Sequence, residues 1–155
     1  WDLILIGDGS GQAWGSACGF ACLSVERDSD EVRPWCGAFN TGTVNLAEGM
    51  AYWLPLAYYA AQPRKEHRLF TRTHILTDSQ LTANIGGDKD RQQVTKLNQG
   101  LWRAMQGFVA NGFAIQWHWV RRNTSAAGVV ADYLSKQARQ AGLTMGIRNA
   151  PECGG

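Results

Sequence analysis

Four carboxylates stand where a chain can gather them. Asp8 ends the apolar run Leu3-Ile4-Leu5-Ile6 and precedes the turn Gly9-Ser10-Gly11. Asp78 ends a second run, Thr73-His74-Ile75-Leu76-Thr77. Glu48 falls in the first turn of a long helical stretch that begins near Asn45, and Asp132 in the second turn of the last one. Singly, each has an ordinary role. Asp8 can start a turn, Glu48 can close a capping box with Asn45, Asp78 can cap the short helix after it, and Asp132 can pair with Lys136 four residues on. Together they repel one another unless cations neutralise them. Hard oxygen ligands of this kind suit Mg²⁺ or Mn²⁺. Two such ions about 3.5–4 Å apart clamp an in-line phosphoryl displacement, one activating the attacking water and the other stabilising the leaving oxygen. That chemistry needs no side-chain nucleophile, and the chain shows no Ser–His–Asp or Cys–His arrangement.

The elements that must position these acids follow from periodicity. Consecutive apolar residues from Leu3 to Ile6 predict a central strand, Asp2–Asp8, buried on both faces. Strands over Trp14–Glu26 and Arg33–Asn40, joined by short turns, complete an antiparallel meander. A helix follows over Asn45–Gln62, with Leu46, Met50, Trp53, Leu54, Ala57, Tyr58 and Ala61 recurring at helical spacing. The next strand is Thr73–Asp78. Strand, helix, strand makes two parallel strands through a right-handed crossover, which sets Asp8 and Asp78 at adjacent carboxyl ends, where open α/β sheets bind ligands. A short helix over Ser79–Ile85, a helix over Val94–Asn111 stopped by Gly112, a strand over Phe113–Val120 and a helix over Ser125–Ala141 closed by Gly142 complete the chain. The expected class is α/β: a five-stranded mixed sheet, three antiparallel strands and then two parallel to the first, flanked by helices.

The chain has 155 residues, 45% hydrophobic and 18% charged, which suits one globular domain with a real core. That domain is expected over residues 1–142, with 143–155 a loose tail. The net charge of +2 is compatible with a nucleic-acid partner without pointing to one. No apolar run approaches membrane-spanning length, so no membrane partner is expected. Cys18 and Cys22 share a strand face and read as small core residues; with no metal-binding Cys/His spacing, a reducing intracellular compartment is the expectation. The first strand starts almost at once after Trp1, which leaves room for an N-terminal neighbour domain. A dinucleotide-binding Rossmann unit fails, because Gln12 stands where the glycine motif needs Gly and the strands are not repeated βαβ units.

The ordered set Ile6-Gly7-Asp8-Gly9-Ser10-Gly11, Asn45-Leu46-Ala47-Glu48, Leu76-Thr77-Asp78-Ser79-Gln80 and Val129-Val130-Ala131-Asp132-Tyr133-Leu134 resembles the type 1 ribonuclease H family. That family carries Asp, Glu, Asp, Asp in this order on these elements, and the likeness spans about Leu3 to Ala141. The resemblance implies the ribonuclease H-like fold and hydrolysis of the RNA strand of RNA–DNA hybrids to 5′-phosphate and 3′-hydroxyl ends. Asp8, Glu48, Asp78 and Asp132 would be the catalytic ligands of two Mg²⁺ ions, with Mn²⁺ able to substitute. It also implies a monomer that stands alone or is linked to a polymerase.

Hybrid recognition needs phosphate contacts and contacts to 2′-hydroxyls across a wide minor groove. Ser10, Gly11 and Gln12 can approach a backbone closely. Asn45 and Gln80 match polar minor-groove positions by resemblance, and helix capping is their competing role. Arg121, Arg122 and Asn123, with Lys136 and Arg139, would form a basic rim beside Asp132. The sequence departs from the family in this loop: Asn123 stands where many members place a mobile His, and it cannot shuttle a proton at neutral pH. His118 lies in a strand and reads as structural. Gly128 replaces a frequent Asn, and the basic helical protrusion of some bacterial members is missing. A nuclease of the same fold acting on DNA or branched structures, and a non-catalytic hybrid-binding module, are the alternative readings.

Overall fold

The computed structural model describes residues 1–11, 17–39, 43–61, 72–86 and 96–145. Five strands, β1 (Leu3–Ser10), β2 (Cys18–Glu26), β3 (Val32–Phe39), β4 (Arg72–Thr77) and β5 (Ala114–Trp119), form one sheet in the order β3-β2-β1-β4-β5. β1 runs antiparallel to β2, and β2 to β3; β4 is parallel to both β1 and β5. This is the mixed sheet that the sequence predicts. Around it lie α1 (Val44–Ala61), α2 (Gln80–Gly86), α3 (Lys96–Ala110) and α4 (Ala126–Met145).

Strand alternation divides the core into two layers. Cys18, Phe20 and Cys22 of β2 face α1 and join the main core with Leu3, Leu5, Ile75, Tyr52, Leu56, Trp102 and Met105. Ala21 faces the other way and packs with Cys36 and with Ala138 of α4. β1 alternates too: Leu3 and Leu5 are fully buried, whereas Ile4 and Ile6 are half-buried, so burial of this strand on both faces is only partly met. The α4 layer lies on β1, β2 and β3. It comes close enough at Gly19 that a side chain there would strike the backbone of Ser135 and Arg139.

Helix ends follow local chemistry. Thr43 caps α1, its Oγ1 accepting from Leu46 N at 3.1 Å. Ser79 caps α2 through Thr82 N at 3.2 Å, and Ser125 caps α4 through Gly128 N at 3.0 Å. α3 stops at Gly112, whose φ is +107°. There Phe113 N bonds Phe108 O, Gly112 N bonds Val109 O, and the two phenyl rings meet at 5.9 Å.

Two expectations need correction. α4 does not close at Gly142 but continues to Met145, because Gly142 is buried against Ala38 of β3, where the missing side chain permits close packing. The buried face of α1 is Glu48, Ala51, Tyr52, Pro55, Leu56 and Tyr59, not the predicted stripe. The helix is apolar on nearly every side, so periodicity does not choose a face. Cys18 and Cys22 are buried thiols in the core, as the sequence predicts. No helix among the described residues is long and apolar enough to cross a membrane.

Candidate active site

Two strand ends and two helices bring the acids together. Asp8 lies between Gly7 and Gly9 on β1, whose side-chain faces meet α1, so Asp8 points toward the α4 side. Gly9 lets α1 reach it. A Cβ at Gly9 would sit 2.6 Å from Glu48 N and 2.9 Å from Ala47 C, so only a glycine allows this turn of α1 to lie against β1. The crossover then places Asp78 just beyond β4, beside Asp8. Ligand oxygens of Asp8, Glu48 and Asp78 all lie within 4.8 Å of one another. Asp132 of α4 lies near enough to influence the Asp8 carboxyl, outside the trio whose oxygens converge.

Burial makes this cluster costly. Asp8 is 3% exposed and Glu48 4%. Among the described residues, no donor reaches Asp8 Oδ2 or Glu48 Oε2. Buried carboxylates without donors must take up a proton or a cation. Burial, the contact with Asp132 and the charge of Asp78 push the Asp8 carboxyl up to about 7, against an opposing contact with Glu48. Burial, then the charges of Asp8 and Asp78, holds Glu48 well above the ordinary carboxylate range. Asp132 behaves differently. Burial raises it, but Lys136, the Asp8 contact and Arg122 outweigh that and bring it below its ordinary value. Orphaned, clustered hard oxygens are a donor set that fits divalent Mg²⁺ or Mn²⁺.

The competing local roles of the acids are resolved. With Thr43 as the cap of α1, Asn45 and Glu48 form no capping box, and Glu48 turns inward. With Ser79 as the cap of α2, neither Asp78 nor Gln80 caps it. The surface pair predicted for Asp132 does form: Lys136 Nζ lies 3.0 Å from Asp132 Oδ2.

The remaining candidates scatter around this centre. Ser10 ends β1 and Gly11 follows it, beside the acids; Gln12 lies outside the described residues. Asn45 is half-buried in the first turn of α1, and Gln80 is exposed at the start of α2. Arg121, Arg122 and Asn123 are exposed, and Arg122 Nε lies 3.3 Å from Asp78 Oδ2. Asn123 has φ +56°, a left-handed turn position that Asn tolerates. Arg139 leaves the basic rim: its Nε donates to Ala17 O at 3.0 Å, tying α4 to the start of β2. His118 Nε2 lies 2.8 Å from His74 Nδ1, within the sheet.

Two supporting residues escaped the sequence reading. The Tyr52 hydroxyl is 3.0 Å from the carbonyl oxygens of both Gly7 and Leu76, bridging β1 and β4 directly beneath the acids. Its helical register with Glu48, four residues earlier, was the available signal. Trp119 Nε1 donates to Asp78 O at 3.1 Å and fixes the backbone of that acid. Trp119 itself is 51% exposed.

No family model and no curated protein matches the chain. Solved structures do. The N-terminal RNase H domain of a Mycobacterium tuberculosis protein, solved as a fusion with maltose-binding protein, superposes with a TM-score of 0.74 at 20% identity, covering 94% of this chain and 99% of that one. LC11-RNase H1, solved in complex with an RNA/DNA hybrid, gives 0.76 at 15% identity, covering 92% and 99%. The prototype foamy virus protease–reverse transcriptase gives 0.67 at 15% identity, covering 89% of this chain and 21% of that one. These likenesses establish that the chain has the ribonuclease H-like fold.

Proposed function

We propose that this chain is a metal-dependent endonuclease that hydrolyses the RNA strand of RNA–DNA hybrids, leaving 5′-phosphate and 3′-hydroxyl ends. The observation that carries the proposal is the cluster of Asp8, Glu48 and Asp78 at the carboxyl ends of β1 and β4 and the start of α1, with Asp8 Oδ2 and Glu48 Oε2 buried and met by no donor among the described residues. LC11-RNase H1, of the same fold, is known bound to such a hybrid.

Asp8, Glu48, Asp78 and Asp132 would hold two Mg²⁺ ions, with Mn²⁺ as substitute. When bound, the ions supply Lewis-acid activation of the attacking water and charge compensation at the leaving oxygen. The chain supplies the rest. Asp8 and Asp78 sit on rigid strand ends braced by Tyr52, and this fixes the spacing of the ligands. Asn45 and Gln80 open α1 and α2 without capping them, so their amides serve minor-groove contacts. Ser10 and Gly11 line the β1 side, and Arg121, Arg122 and Asn123 face the phosphates from the opposite loop. Arg121, Arg122 and Asn123 offer no neutral-pH proton shuttle. The domain, whether alone or joined to an N-terminal neighbour or polymerase, acts as a monomer.

A substrate panel tests the proposal: labelled RNA–DNA hybrid, duplex RNA and duplex DNA, each with Mg²⁺ and with EDTA. Cutting confined to the RNA of the hybrid, and lost in EDTA, is the expected result. Cutting of DNA would keep the fold and overturn the substrate. Binding of hybrid without cutting in Mg²⁺ or Mn²⁺ would make the chain a binding module.

A further inference from the structure

The four acids divide by how their charge is met. Asp8 and Glu48, the inner pair, have oxygens that no donor reaches among the described residues. Asp78 and Asp132, the outer pair, each hold a side-chain cation: Arg122 Nε at 3.3 Å and Lys136 Nζ at 3.0 Å, both on an Oδ2 atom. The outer acids are only 17% exposed, whereas the arginine and lysine are 66% and 62% exposed. Both cations therefore reach in from solvent on side chains that can swing away. Asp78 is also one of the three acids whose ligand oxygens lie within 4.8 Å of one another. A divalent ion taken up there and a guanidinium on the same carboxylate repel each other, and the doubly charged ion holds the carboxylate more strongly.

We propose, on the basis of the metal-dependent reading above, that Arg122 and Lys136 are exchangeable counter-cations of this site. They neutralise Asp78 and Asp132 while metal is away, give up those carboxylates as divalent ions bind, and pass to the phosphates of the incoming nucleic acid. The planar guanidinium of Arg122 suits two-point contact with a phosphate, and the Lys136 ammonium supplies a point charge. The exchange couples the two ligands of the site. Metal binding releases the cations that the phosphate backbone needs, so metal and hybrid favour each other's binding. Arg121, one residue from Arg122, has no acid partner among the described residues and serves as the control for charge alone.

The test measures two affinities of opposite expected sign. Mg²⁺ binding without nucleic acid is followed by calorimetry for the unaltered protein and for Arg122→Ala, Lys136→Ala and Arg121→Ala. Binding of a labelled hybrid is then measured in Ca²⁺, with the RNA checked for intactness. Arg122→Ala and Lys136→Ala should each bind Mg²⁺ about two- to fivefold more tightly, the range that an exposed pair contributes. The same variants should bind hybrid several-fold more weakly, each with a salt slope smaller by about one. Arg121→Ala should leave Mg²⁺ affinity unchanged. Unchanged or weaker Mg²⁺ binding in the two variants, or equal tightening in Arg121→Ala, overturns the exchange, as does unchanged hybrid affinity. Unaltered protein that takes up no Mg²⁺ or Mn²⁺ would instead overturn the metal reading and this inference with it.

Discussion

Metal-free protein should grow less stable as pH rises, and Asp8 should be a main reason. Its carboxyl titrates near its ordinary 3.8 when the chain is unfolded and at about 7 when folded. Such a group contributes stability fully below the unfolded value and loses it as pH rises through the folded one. At roughly 1.4 kcal/mol for each tenfold change, the whole interval corresponds to about 4 kcal/mol, of which roughly 2.5 kcal/mol falls between pH 5 and pH 8. Asp8→Asn abolishes this titration without changing side-chain size. Urea unfolding in EDTA at pH 5, 6, 7 and 8 would measure it. The variant should be more stable than the parent at pH 8 by about 2–4 kcal/mol and should lose less stability between pH 5 and pH 8. Adding Mg²⁺ should stabilise the parent at pH 8 and leave the variant much less changed, because a ligand of the folded state alone shifts the balance by mass action. Parallel pH curves for the two proteins, or destabilisation of Asp8→Asn at pH 8, would refute the reasoning that this acid is buried against its neighbours without a counter-charge.

Gly9→Ala should lower stability by about 1–3 kcal/mol and weaken cleavage sharply, since its Cβ would lie 2.6 Å from Glu48 N and push α1 off the strand; urea unfolding and hybrid cleavage together check this. Gly19→Ala should be at least as destabilising, because it forces α4 from β2, but a melting curve should show that loss with metal or without. Tyr52→Phe removes the donor shared by Gly7 O and Leu76 O and should cost about 1–2 kcal/mol in thermal unfolding, with reduced Mg²⁺ affinity by calorimetry.

The sheet was legible because each strand is short, apolar and bounded by clear turns, and because the crossover rule leaves one parallel partner for β1. The four acids were legible as an ordered set. Their surroundings were less so. On α1, apolar residues surround the helix, so the inward acid Glu48 was the better guide to the buried face than the hydrophobic stripe, and Tyr52 was missed with that face. Gly142 reads as a stop in sequence, yet a helix glycine also permits close packing, and the Ala38 contact decides which role it takes. Caps were misplaced by one or two residues because Thr43, Asn45, Asp78 and Ser79 are all competent, and only backbone geometry selects among them. Arg139 and Trp119 form bonds to distant carbonyls that no local pattern announces.

The most direct test of the central claim is cleavage of a hybrid with end-labelled RNA, titrated with Mg²⁺, by the unaltered protein and by Asp78→Asn. A metal-dependent site made of these carboxylates predicts RNA cleavage that rises with Mg²⁺ and saturates, with a loss of several orders of magnitude in Asp78→Asn while the variant still folds. Cleavage that persists in Asp78→Asn, or that proceeds equally without divalent ions, would contradict it.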